Sequence, residues 1–88
     1  MNYTHLNANG AATIGPAGGP NIKIHSVTIN TKGAAANTLT LADPKATIAV
    51  IDTVNINSQS LIYDVDTQGQ LTATLATGTA ADVTIAWQ

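Results

Sequence analysis

Few residues in this chain could do chemistry. His5 and His25 are its only histidines, Asp43, Asp52, Asp64, Asp66 and Asp82 its only carboxylate side chains, and Cys, Glu and Arg are absent from all 88 positions. A Ser-His-Asp set would need a histidine beside Ser26, Ser58 or Ser60, and no nucleophile-elbow pattern brings them together. Asp64-Val65-Asp66 sets two carboxylates on one strand face beside a turn at Gly69, but calcium takes about six to eight oxygens and no EF-hand spacing is present. Gly15-Pro16-Ala17-Gly18-Gly19-Pro20 is rich in glycine like a phosphate loop. It lacks the following Lys-Ser/Thr at a helix start and runs into Asn21 and a strand. The residues therefore predict no enzyme, no cofactor and no metal site.

The totals exclude further classes. Three lysines without arginine form no cationic cluster for phosphates, so no nucleic-acid partner is expected. No apolar run approaches the ~20 residues of a membrane span, and the polar start at Met1 shows no targeting pattern, so no membrane partner is expected either. Without cysteine there is no disulfide and no thiolate zinc site to support a small core.

The elements that would position these groups read as β. Ile and Val supply 14 of the bulky aliphatics and Thr occurs 14 times, so β-branched residues dominate. Alternation of apolar and polar residues marks Ile22-Lys23-Ile24, Val27-Thr28-Ile29, Thr38 to Leu41, Leu61 to Val65, Leu71 to Leu75 and Val83 to Trp87. The phase slips at His25-Ser26, which predicts a bulge there. Residues 46–51, ATIAVI, read as a strand buried on both faces. Turn signals fall at residues 31–37, Asp43-Pro44, Asn57-Ser58-Gln59, Asp66 to Gly69 (read as a hairpin) and Gly78 to Ala81. This spacing predicts an all-β fold, an antiparallel β-sandwich of jelly-roll or Greek-key type over residues 21–88. Residues 1–20, rich in Gly, Ala and Asn, read as an extended N-terminal arm. Thr-x-Thr pairs at 38/40, 72/74 and 77/79 are too irregular for a solenoid or a flat ice-binding lattice, and read as solvent-facing threonines.

Composition then points to assembly. The 44% hydrophobic fraction includes 15 alanines, leaving 24 larger residues for the core. Charged residues make up only 9%, where soluble surfaces commonly carry about 25–35%. A thin core and a surface of hydroxyls and amides suit a protein packed against neighbours. Tyr63 shares a face with Leu61 and Val65 and is expected inward. The residues expected to make partner or oligomer contacts are Tyr3, His5 and Leu6 in the arm, with His25 at the bulge and Trp87 near the C-terminus.

The stretches His25 to Gly33, Asn37 to Asp43, Ile48 to Thr53, Tyr63 to Val65 and Gly78 to Ile85 resemble small virion proteins of tailed bacteriophages, over residues 22–87. The resemblance implies a decoration or cement protein on the capsid surface of a virion, sitting as a homotrimer over junctions of the major capsid protein, with no enzymatic residues to carry over. The alternative reading is a small carbohydrate- or receptor-binding module of a phage tail or fibre.

Overall fold

The computed structural model describes residues 1–56 and 60–88. Eight strands follow one another: β1 (Asn2–Leu6), β2 (Gly10–Ile14), β3 (Lys23–Thr31), β4 (Thr38–Ala42), β5 (Thr47–Asp52), β6 (Ser60–Asp66), β7 (Leu71–Ala76) and β8 (Asp82–Trp87). Among the described residues there is no helix. The strands make two antiparallel sheets, β1-β8-β3-β6 (sheet A) and β2-β7-β4-β5 (sheet B). Inward residues of both sheets join in a single apolar cluster, so the sheets pack face to face.

Alternation decides which side chains enter that cluster. Leu71, Ala73 and Leu75 of β7 are buried, as are Leu39 and Leu41 of β4 and Val83 and Ile85 of β8, while the intervening threonines and alanines are partly exposed. The expected bulge is present: the register of β3 against both β6 and β8 shifts between Ile24 and Ser26.

Three expectations are corrected. Residues 1–20 do not form an extended arm, because β1 pairs with β8 from Asn2 to Leu6 and β2 pairs with β7 from Gly10 to Ile14. Neighbouring strands hold these Gly- and Ala-rich segments in register, overriding their weak intrinsic preference. The 46–51 run is not buried on both faces. It forms the edge strand β5, with Val50 64% exposed. Asp66 to Gly69 is not a hairpin turn, since β6 and β7 belong to different sheets, and the turn from Gly78 to Ala81 likewise joins β7 to β8 across the layers. Gly69 does take the positive φ expected of it, at 117°. The turn expected at Asn57-Ser58-Gln59 lies outside the described residues.

Because most connections cross between sheets, each end of the molecule needs its own fastening. At one end the fully buried Asn37 is the hub. Its amide nitrogen donates to Asn9 Oδ1 at 3.0 Å and to the carbonyls of Ala76 and Thr77 at 3.2 and 2.9 Å. Its side-chain oxygen accepts from Thr53 Oγ1 at 2.7 Å and from the Ala81 amide at 3.1 Å. One side chain thus joins the connections that follow β1, β3, β5 and β7. Gly33 closes over it: a Cβ there would stand 2.6 Å from Thr53 Oγ1 and 2.7 Å from Asn37 Oδ1. At the other end Asp43 accepts from the Lys45, Ala46 and Gln68 amides, and Gln70 Nε2 donates to the Ile14 carbonyl at 2.6 Å.

Candidate interaction surface

Strand charges are sorted between the two sheets. His5, Lys23, His25, Asp64, Asp66 and Asp82 all lie on strands of sheet A, whereas the strands of sheet B carry only Asp52, the last residue of β5. The charged groups of sheet A are matched among themselves. His5 Nε2 lies 2.5 Å from Asp82 Oδ1, and His25 Nδ1 lies 2.9 Å from Asp64 Oδ1. Lys23 Nζ stands 3.8 Å from Asp66. The Asn30 amide donates to Asp82 at 3.0 Å and, with His5, holds its carboxyl below the usual carboxylate range.

The remaining carboxylates are also committed. Backbone amides, Gln68 foremost, lower the pKa of Asp43. The Asn55 side chain and the Val54 and Asn55 amides do the same for Asp52, so both act as turn fasteners. Asp64 and Asp66 therefore engage different partners within the protein, His25 and Lys23. Among the described residues no three His, Asp or Glu side chains gather as metal ligands would.

The outer face of sheet B is a lattice of small uncharged side chains. Register places Ala11, Thr74, Thr40 and Val50 in one row across all four strands, and Thr13, Thr72, Ala42 and Thr47 in the next. The Thr-x-Thr pairs of β4 and β7, irregular along the chain, are thereby brought side by side. The corresponding rows on sheet A are Tyr3, Ala86, Ser26 and Ile62, then His5, Thr84, Thr28 and Ser60, with Thr28 and Ser60 hydroxyls 3.2 Å apart.

Of the residues expected to make contacts, Tyr3 is 73% exposed on the outer face of sheet A. His5 and His25 lie on the same face in their pairs with Asp82 and Asp64. Leu6 and Trp87 point inward, packed against the core, and Trp87 Nε1 donates to Thr4 Oγ1 at 3.1 Å. Tyr63 also packs against the core, and burial pushes its hydroxyl pKa up. The five side chains are thus divided between the two faces of one sheet. Reading the sequence alone missed Val50 and Ile62, which are 64% and 65% exposed. Ile62 could have been found, since it stands out of phase in Leu61-Ile62-Tyr63. Val50 was hidden in an unbroken apolar run.

A cleft of about 520 Å³ opens at the end of the sandwich between Lys23, Asp66, Gln68 and Gln88. Its lining is mostly polar, and main-chain bonds at 2.7 and 2.9 Å join Lys23 to Gln88 there.

No family model matches the sequence, and none of the curated proteins matches it. Among solved structures the chain is similar to the Drosophila NLP-core, with a TM-score of 0.61 and 16% identity, over 97% of this chain and 95% of that one. The study of that protein concerned pentamer formation and histone binding. This corrects the reading as a phage capsid decoration protein and its tail or fibre alternative: the structural neighbour is a histone-binding pentamer, not a virion protein. At this identity the likeness shows a shared fold.

Proposed function

We propose that the chain is a structural subunit of a symmetric homo-oligomer, with the outer face of sheet B turned into the assembly and that of sheet A toward solvent. One observation carries the reading: the broad outer face of sheet B bears threonine, alanine and valine and no charge except Asp52 at its corner. Covering such a face strips water from no ion, and interface centres are depleted in charge for that reason. Sheet A keeps its ion pairs hydrated on the other side. The strand orders β1-β8-β3-β6 and β2-β7-β4-β5 support a jelly roll as the form of the sandwich.

The pentamer described for the Drosophila neighbour supports self-association, and a ring of five is the order we carry over, in place of the trimer. Histone binding is not carried over with it. A basic partner needs a strongly acidic surface, and this chain has five aspartates against three lysines, with no glutamate. Catalysis has no part in this reading.

Light scattering on the purified protein tests it. The expected mass is about five times the 8.9 kDa of one chain. Placing lysines at the centre of sheet B (Thr40→Lys with Thr74→Lys) should lower that mass, whereas Thr84→Lys on sheet A should not. A monomer at all concentrations, or an equal effect of Thr84→Lys, would overturn it.

A further inference from the structure

The large apolar side chains exposed among the described residues are Met1, Tyr3, Val50 and Ile62, at 72%, 73%, 64% and 65%. Their placement follows from the topology. β1 and β6 are the two edges of sheet A, and β2 and β5 the two edges of sheet B. The connection between β1 and β2 is residues 7–9, long enough only to cross the ~10 Å between packed sheets. The β1 and β2 edges therefore share one side of the sandwich, which leaves β5 and β6 together on the opposite side. Met1 and Tyr3 belong to the first side, Val50 and Ile62 to the second. An apolar pair thus stands on each of two opposite sides, where no further strand pairs with the edges among the described residues.

We infer that the oligomer closes head to tail, the β5/β6 side of one copy against the β1/β2 side of the next. The inference rests on the homo-oligomer reading and specifies its interface. A cyclic assembly of more than two copies requires two different surfaces per subunit, which these sides supply. Strand direction agrees. With four antiparallel strands in each sheet, the two edges run in opposite directions. A rotation about an axis along the strands then sets β5 antiparallel to the next copy's β2, and the alternation continues unbroken.

The rows agree as well. The row Ala11, Thr74, Thr40, Val50 runs on into Ala11 of the next copy, so Val50 meets a small residue on the inner layer. The row Tyr3, Ala86, Ser26, Ile62 brings Ile62 to the next Tyr3 on the outer layer. Curvature of a ring opens a gap in the outer layer, and the larger pair of side chains is the one placed there. β5 fits the part: from Thr47 to Ile51 it contains no charge and no proline, the two usual guards of a free edge.

The absence of cysteine gives a clean test. The chain carrying both Ala11→Cys and Val50→Cys should, under mild oxidation, form disulfides between copies, since adjacent strands bring Cα atoms within the ~4.4–6.8 Å that a disulfide spans. Non-reducing gels should show a ladder ending at the number of subunits measured by light scattering. The chain carrying Val50→Cys alone should remain uncrosslinked. Ile62→Lys should weaken self-association about tenfold or more while the thermal transition of the dissociated chain stays unchanged, because the site is solvent-exposed. Dimers from Val50→Cys alone would indicate a twofold β5–β5 contact and overturn the inference. An intact oligomer without a ladder, or one unaffected by Ile62→Lys, would overturn it too. In each of these results the homo-oligomer reading survives, whereas a monomeric wild-type chain removes both.

Discussion

At the residue scale the chain's polar chemistry is spent on its own fold. The histidines and aspartates that first suggest catalysis are matched with one another or with turn amides. The most consequential polar side chain is instead Asn37, an amide with no catalytic promise in sequence. Its side chain is fully buried, with two of its five hydrogen bonds buried and three part-buried, so replacing it strands donors and acceptors of several connections. Asn37→Leu should destabilise the protein by about 2–4 kcal/mol, because each stranded buried group costs about 1–3 kcal/mol. Urea titration with circular dichroism would measure this, and a loss under ~1 kcal/mol would mean that water replaces the amide. Nothing in Ala-Asn-Thr at 36–38 announces the role, since burial of Asn37 depends on connections 28 to 44 residues away.

At the scale of elements, the strands from Ile22 onward were legible because apolar-polar alternation and a pleated sheet share a period of two. The bulge was legible for the same reason, as a slip of phase. Strand partners were not. Consecutive strands here switch sheets, so a turn such as Asp66 to Gly69 looks like a hairpin while joining two layers. The N-terminal strands were hidden because Ala11, Ala12 and Gly10 carry little β signal, and their register comes from β7. Deleting residues 1–15 removes an edge strand from each sheet together with the buried Ile14. The shortened chain should lose cooperative unfolding and much of its β circular dichroism. A truncated chain that still melts in one sharp transition would show that β1 and β2 are dispensable.

At the scale of the whole molecule, the two outer faces differ in kind. Sheet A is polar with paired charges, and sheet B is close to neutral. An assembly whose contacts centre on the apolar side chains Val50, Ile62 and Tyr3 depends little on ionic screening, which acts over about 10 Å at 0.1 M salt. The mass by light scattering should therefore hold constant from about 0.05 to 0.5 M sodium chloride, where ion-pair contacts would weaken. Dissociation with rising salt would place the sheet A charges in the interface. The low charge content was legible in composition, but its sorting between the two sheets was not. Composition totals the surface, but only the register shows that Tyr3 and Ile62 end one row and Ala11 and Val50 another.

The pairing of β1 with β8 has a consequence for how the chain comes to be folded at all. β8 is the last of the eight strands to be synthesised, yet it lies inside sheet A, between β1 and β3. Until it emerges, β1 has no partner and the core lacks Val83 and Ile85, so a growing chain can zip up sheet B but not close the sandwich. Pairings this distant in sequence also make folding slow compared with local hairpins. Residues Asp82 to Trp87 act as a clasp: before they pair, the β1/β2 side, and with it assembly, stays incomplete.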